Sequence, residues 1–274
     1  MTRLYTALAL ACGLVTAQAA ELPRLAPPQA MFPQTLTLDQ FVRGTLRFVL
    51  LHELGHGLVD LYDLPVLGRE EDAADRFAAW WLSPDGRETG VDAIAAIEWW
   101  MASARQSEAR REDLPWWDEH GIDEQRGYQI ACLLYGADPQ TMGPLAVRLG
   151  LPDERQASCL REAAQNAASW SAHLLDKTAQ LPAQLDGFLV PVQLLPAPPA
   201  LQAAAQRVAD LGLMTELRDL LHQFRFPPGQ AMVRLVAQDC EQINAYWSPE
   251  ERAVVLCYEL VEHVQAVGRQ AGFR

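Results

Sequence analysis

Hydrophobic positions recur with a helical period along most of the chain, and the pattern changes near its C-terminal end. Thr37 and Gln40 form a capping box ahead of a helix predicted over 38–62, and Leu64-Pro65 ends that helix. The same period predicts further helices at about 70–82, 91–112 and 123–136, two or three within 139–177, and one or two within 201–224.

After residue 227 the hydrophobic pattern no longer has a helical period. Residues 231–237 and 253–258 predict two β-strands, joined through 244–247 and a turn at 248–251. We therefore expect a mainly α fold of the α+β class, with a helical core and a small C-terminal β-hairpin.

A proline-rich stretch at 181–200 predicts a linker. It separates a helical region over 21–180 from a C-terminal region over 201–274, which we expect to pack on the helical region. Residues 1–20 predict a signal peptide, with a basic residue, a short apolar stretch and a small-residue cleavage site. Export to the periplasm or outside the cell is therefore expected. No stable membrane insertion is expected after cleavage, because no later segment is apolar for long enough.

Acidic residues outnumber basic ones by 35 to 22, and the formal net charge is −13. A single lysine, Lys177, is present among the basic residues. This balance argues against a nucleic-acid partner and against an electrostatic anchor on anionic lipid. Half of the residues are hydrophobic, which is typical of a globular protein.

Cleavage of the signal peptide, which contains one cysteine, leaves four cysteines in an oxidising compartment, and that number favours two disulfides. Local pairing is expected, Cys132 with Cys159 and Cys240 with Cys257, because each pair lies within one predicted subregion. Four cysteines allow three connectivities, and four buried thiols are the alternative.

The segment His52-Glu53-Leu54-Gly55-His56 lies within the first predicted helix. Residues four apart share a helix face, so both imidazoles can reach one metal ion. Glu53 then lies beside the metal, where it can accept a proton from a water molecule. Roughly 0.01 chance matches to this motif are expected in such a chain, and the alternative is a helix with two ordinary histidines.

Catalytic zinc usually has three protein ligands and one open position, so a third ligand is needed. Val59 and Tyr62 stand where the metzincin pattern requires glycine and then histidine or aspartate, which excludes that class. We expect Glu71, on the second predicted helix, to be the third ligand. Asp75 shares its face and is expected to hydrogen-bond a ligand histidine. Rival ligands are Glu70, Asp72 and Asp60.

The segment HELGHGLVDLYDLPVLGREEDAADRFA resembles the core of a family of candidate zinc metallopeptidases known as a domain of unknown function. The likeness spans most of the mature chain, through 118–126, Cys132, Tyr135-Gly136, Cys159, Cys240, 244–247 and 257–260. The resemblance implies a gluzincin-like peptidase with a zincin-like helical core. It implies that His52, His56 and Glu71 bind zinc and that Glu53 is the general base.

Zincins usually carry a sheet before this helix, whose edge strand aligns substrate, but only roughly 17 mature residues precede the helix here. We expect the late hairpin to fold back and supply that edge. His120 is the candidate to stabilise the tetrahedral intermediate, with a surface or supporting role as the alternative and Tyr128 as a rival.

The remaining histidines and the tryptophan pairs are assigned mainly to structure. His173, His222 and His263 are expected to be structural or surface residues. For the pairs 80–81, 99–100 and 116–117, core packing is favoured over an apolar substrate cleft.

Together these features predict a zinc-dependent metallopeptidase that acts on a peptide or protein substrate. One alternative is a non-catalytic binding or scaffold protein stabilised by zinc. A second alternative is a zinc hydrolase of non-peptide amides, which would keep every residue role and change only the substrate.

Overall fold

Helix α1, Leu38–Tyr62, carries the two histidines of the motif and forms the centre of the fold. The computed structural model describes residues 36–83, 90–110, 113–114, 116–175, 181, 189–227 and 232–274. These residues all belong to one compact unit over 34–274, and the predicted signal peptide lies outside them. The capping box is present: the Gln40 amide donates to the Thr37 hydroxyl, and the Thr37 amide donates to the Gln40 side chain.

Eight further α-helices lie in the described part of the chain. They are α2 Glu70–Trp81, α3 Val91–Arg110, α4 Asp123–Ala137, α5 Pro139–Arg148, α6 Asp153–Trp170, α7 Gln202–Leu211, α8 Leu213–Leu221 and α9 Tyr258–Gln270. A π-helical turn, Ser171–Leu175, follows α6, and a 3-10 turn, Pro199–Leu201, precedes α7. With one small sheet beside these helices, the predicted mainly α fold class is confirmed.

The described strands form one four-stranded sheet in the order β1-β2-β4-β3. They are β1 Val192–Leu194, β2 Arg234–Gln238, β3 Ala245–Ser248 and β4 Ala253–Cys257. Strand β2 pairs in parallel with both β1 and β4, and β3 pairs antiparallel with β4. Strand β1 comes from the proline-rich stretch 181–200.

The expected pairing of 231–237 with 253–258 as a hairpin is wrong. Strands β2 and β4, which these segments form, run side by side in parallel, and the hairpin partner of β4 is β3. The segment 244–247, expected only to connect the strands, supplies that edge strand. All five residues of β4 are buried, which is typical of a central strand with neighbours on both sides.

Both expected disulfides are present, so the local pairing is confirmed. Cys132–Cys159 joins α4 to α6, and Cys240–Cys257 joins the segment after β2 to the end of β4. Two disulfides fit an oxidising compartment. Among the described helices, none combines the length and the apolar character that a membrane span requires.

The packing around α1 brings distant segments to its two histidines. Helices α2, α3 and α9 and strand β3 all contact α1. A Cβ atom on Gly55 would lie 3.0 Å from the Cα atom of Ala74, so the absence of a side chain lets α2 approach closely. On the same helix, a Cβ atom on Gly57 would lie 2.9 Å from the indole ring of Trp247 in β3. Two glycines of α1 therefore allow close contacts that bring α2 and β3 to the site.

Candidate metal centre

Three side chains from α1 and α2 converge on one point. The Nε2 atom of His52 lies 3.1 Å from Oε2 of Glu71 and 3.3 Å from Nε2 of His56. The Nε2 atom of His56 lies 3.4 Å from the same Glu71 oxygen. Ligand atoms about 2.1 Å from a tetrahedral zinc lie roughly 3.4 Å apart, so this donor set fits one such ion. All three side chains belong to one candidate metal-binding group.

Each of these histidines has a carboxylate at its other ring nitrogen. Oδ1 of Asp75 lies 2.8 Å from Nδ1 of His52, and Oε1 of Glu70 lies 2.8 Å from Nδ1 of His56. Arg126 donates two hydrogen bonds, of 2.8 and 2.7 Å, to the Asp75 carboxylate. A carboxylate at Nδ1 favours the tautomer whose Nε2 lone pair is free to bind a metal.

The other acidic residues considered as third ligands have different partners. Glu70 supports His56, as described above. Asp72 accepts hydrogen bonds of 3.1 Å from the Arg69 guanidinium, and Asp60 accepts one of 3.0 Å from the indole Nε1 of Trp247. In the structure, Glu71 is the carboxylate that groups with the two histidines.

The carboxylates at this centre favour positive charge on the histidines. Burial by itself would lower the pKa of His52, but hydrogen bonds to Asp75 and Glu71 outweigh it and raise the pKa to about 9. Burial likewise opposes ionisation of Glu71, yet hydrogen bonds with His120, His52 and His56 hold its pKa well below the usual range. The pKa of Asp75 is lowered despite its burial, chiefly by the Arg126 charge.

Glu53 lies on the cavity side of α1 and is buried, with 8% of its surface exposed. Its Oε2 atom accepts a 3.0 Å hydrogen bond from the backbone N–H of Trp247, and Oε1 has no hydrogen-bond partner among the described residues. Burial raises the pKa of Glu53, an effect that the nearby His52 and His56 oppose. One carboxylate oxygen is thus held by β3, and the other remains available.

His120 reaches the site from the segment before α4. Its Nε2 atom lies 2.9 Å from Oε2 of Glu71, and its Nδ1 atom lies 3.0 Å from Asp118, which also accepts from the His120 amide. Its pKa is raised, first by the hydrogen bond with Glu71. Its side chain is 45% exposed, and it is not one of the three mutually close ligand residues. It therefore lies at the solvent side of the centre.

A cavity of about 570 Å³ adjoins these residues. Edge strand β3 lines the cavity through Ala245, Tyr246 and Trp247. The hairpin of β3 and β4 therefore reaches helix α1, which carries His52, Glu53 and His56. His263, which the sequence assigns to a structural or surface role, also lines the cavity. No local motif marks His263, because α9 reaches the site only through the packing of α9 on α1.

The three tryptophan pairs have different environments. Trp99 and Trp100 are buried and also line this cavity, so this pair both packs in the core and forms part of the cleft wall. Trp80 and Trp81 pack against Phe77. The pair at 116–117 is exposed.

A family model described as "Putative metallopeptidase" (DUF4344) matches residues 29–174 and 198–274. The two ranges cover most of the chain and include every residue of the centre described above. No curated protein and no solved structure matches the chain.

Proposed function

The chain belongs to the DUF4344 family, and from that membership we propose that it is a zinc-dependent metallopeptidase with Glu53 as its general base. The observation that carries the proposal is the convergence of His52, His56 and Glu71 on one point, with Glu53 beside them. Zinc is the ion proposed because two imidazoles, one carboxylate and one open position are typical of catalytic zinc. The substrate is proposed to be a peptide or protein, and the protein is proposed to act after export.

Zinc at this centre would polarise the scissile carbonyl and lower the pKa of a water molecule to about 7. Glu53 accepts a proton from that water at Oε1, while the Trp247 amide holds Oε2 in place. The hydroxide that remains adds to the carbonyl carbon, the C–N bond breaks, and Glu53 passes the proton to the departing amine. Burial raises the pKa of Glu53, which makes its carboxylate a stronger base than that of an exposed glutamate.

His120 is proposed to stabilise the negative charge that develops on the carbonyl oxygen. Support comes from its position, because its Nε2 atom lies 2.9 Å from Glu71 on the solvent side of the centre. A hydrogen-bond donor placed there in advance contributes most where the charge appears only in the transition state.

Strand β3 is proposed to align the substrate. The Trp247 N–H points away from β4 and toward Glu53, so the outer edge of β3 faces the cavity. Because backbone direction alternates along a strand, the polar backbone groups of Ala245 face the same way. An extended peptide can add to such an edge by main-chain hydrogen bonds.

The test compares three variants of the mature protein supplied with zinc. We expect near one zinc per chain by elemental analysis, retained in Glu53→Gln and lost in Glu71→Ala. Hydrolysis of a protein substrate should fall at least about 100-fold in Glu53→Gln, since a general base contributes that much or more. Glu154→Gln, an exposed position on α6, is the matched control and should keep both zinc and activity.

Four outcomes would contradict the proposal in different ways. A native protein that binds no zinc would remove the metal centre. Unchanged hydrolysis in Glu53→Gln would remove the general base. A protein that binds zinc, unfolds on its removal and cleaves nothing would favour the scaffold alternative, and cleavage restricted to non-peptide amides would favour the other hydrolase.

A further inference from the structure

The cavity at the metal centre continues along α1 beyond the ligands. Phe48 and Val49 line it and precede His52 by four and three residues, so they lie on the same helix face, one turn toward the N-terminus. Both are buried hydrophobic side chains. This end of the cavity therefore has a different character from the acidic surroundings of the metal ligands.

Two other helices complete the apolar end. From α3 come Trp99 and Trp100, 7% and 9% exposed, with ring centroids 4.3 Å apart. From α9 come Leu260 and His263, which are three residues apart and share a face. Three helices thus contribute one turn each to a wall that is mainly aromatic and aliphatic.

The charge at this end is already compensated. Arg126 lines the cavity, and its guanidinium carbon lies 3.8 Å from the centroid of the Trp100 ring. The same guanidinium donates two hydrogen bonds to Asp75, so its charge is paired with a carboxylate. Among the described side chains that line this end, the Arg126 charge is therefore already paired.

The indole nitrogens of Trp99 and Trp100 supply a second, independent observation. Both Nε1 atoms are buried and have no hydrogen-bond partner in the described part of the chain. Buried donors in folded proteins are nearly always paired, so an unpaired couple on one wall is unusual. Because both nitrogens are enclosed, the ring surface that Trp99 and Trp100 present to the cavity is carbon.

We propose that this apolar pocket, formed by Phe48, Val49, Trp99, Trp100, Leu260 and His263, binds a bulky apolar or aromatic side chain of the substrate next to the scissile bond. The inference rests on the proposed function, because it places the peptide bond at the metal centre and its neighbouring side chain in the pocket. The cavity of about 570 Å³ has room for that side chain together with adjoining backbone.

The first experiment measures kcat/KM of the zinc-loaded protein for peptides that differ at one position beside the cleaved bond. Phenylalanine or leucine at that position should exceed alanine at least about 10-fold, the size expected for a filled against an empty apolar pocket. Lysine and aspartate should be no better than alanine.

Two pocket variants should shift this preference in opposite directions. Val49→Phe fills the pocket and should move the preference toward alanine, while Leu260→Ala enlarges it and should favour tryptophan. The matched controls are Val147→Phe and Leu160→Ala, at positions that are 76% and 47% exposed and outside the cavity. These controls should keep the preference of the unchanged protein. Zinc content of every variant checks that the centre has formed.

Binding of the same peptides to zinc-loaded Glu53→Gln, by calorimetry, separates the pocket from the chemistry. Tighter binding of the phenylalanine peptide with no hydrolysis by the unchanged protein would overturn the proposed function and support the pocket. Hydrolysis that depends on Glu53 but is indifferent to the neighbouring side chain would overturn the pocket alone. The pocket proposal would also be overturned if Val49→Phe kept the same side-chain preference as the control Val147→Phe. If the protein shows no preference among the peptides and hydrolyses none of them, both proposals are overturned.

Discussion

Replacement of Asp75 by asparagine is the sharpest test of how His52, a proposed metal ligand, is held. Asp75 is buried, and its two oxygens lie within hydrogen-bond distance of His52 Nδ1 and of two nitrogens of Arg126, at 2.7–2.8 Å. Asparagine keeps the shape but offers one oxygen and an N–H₂ group. At least one of the three donors would therefore face another donor, and the Arg126 charge would lose its counter-ion.

Two magnitudes follow for Asp75→Asn. Removing the partner of a buried charge costs about 3–5 kcal/mol, because the Arg126 guanidinium is left without compensation. Loss of a carboxylate behind a ligand histidine lowers metal affinity about 10- to 100-fold, which is about 1.4–2.7 kcal/mol. The variant should therefore be both less stable without metal and weaker in binding zinc.

Two measurements separate these effects. Urea unfolding in the presence of a chelator gives the free energy of unfolding of the metal-free protein. Competition with a zinc-binding dye gives the metal affinity. Asp219→Asn is the matched control, since that side chain is 63% exposed, and its change in unfolding free energy should stay within about 0.5 kcal/mol.

The double variant Asp75→Asn/Arg126→Leu decides which partner causes which loss. Removing the uncompensated cation should restore part of the free energy of unfolding, while zinc affinity stays low because His52 Nδ1 still lacks a carboxylate. Zinc affinity within about twofold of the unchanged protein in Asp75→Asn would refute the reasoning, since a supporting carboxylate is worth tenfold or more. Affinity that recovers together with stability would show that Asp75 acts through the fold alone.

Two further predictions concern pH and helix approach. Burial raises the pKa of Glu98 from 4.5 to about 7, which the nearby Arg148 only partly offsets. In this pH range the folded state therefore keeps a proton that the unfolded chain releases. The free energy of unfolding should fall by about 3 kcal/mol as pH rises from 4.5 to 7. Urea unfolding of Glu98→Gln at several pH values should not show this fall. Gly55→Val would push Ala74 and α2 away, and dye competition should show at least about 10-fold weaker zinc binding. Gly143→Val, where nothing lies within 4 Å, should leave the affinity unchanged, and an equal loss there would contradict the steric explanation.

The first helix shows how much of the structure can be predicted from local sequence. Its predicted bounds, 38–62, agree with the structure, and the predicted capping box at Thr37 and Gln40 is present. Capping, helical periodicity and the spacing of His52 and His56 depend on residues within a few positions of one another. Such local relations can be seen without knowledge of the rest of the chain.

The choice of the third proposed ligand shows where reasoning from local sequence stops. Glu70, Glu71 and Asp72 share one helical turn, and each could reach a metal until the crossing of α2 over α1 is known. The close contact of Gly55 with Ala74 sets that crossing, and it turns Glu71 toward the two histidines. Glu70 then faces the far side of His56.

The edge strand and the apolar pocket depend even more on the tertiary structure. The strand pattern identified the segments of β2 and β4 but not those of β1 and β3, and it contains no information on whether β2 and β4 pair in parallel or as a hairpin. Trp247 reaches Glu53 across 194 residues of sequence, and His263 reaches the cavity from the last helix. Contacts at such separations leave no periodic signal in one sequence.

The sequence alone determined the mainly helical fold class, the first helix and the HExxH residues, because short-range geometry and residue chemistry govern all three. It favoured the disulfide pairs that the structure contains but left the other connectivities open. Tertiary packing decided which carboxylate joins the histidines, which strand faces Glu53 and which side chains line the pocket. These choices depend on helix crossing and strand order, and both are set by close packing between segments far apart in the chain.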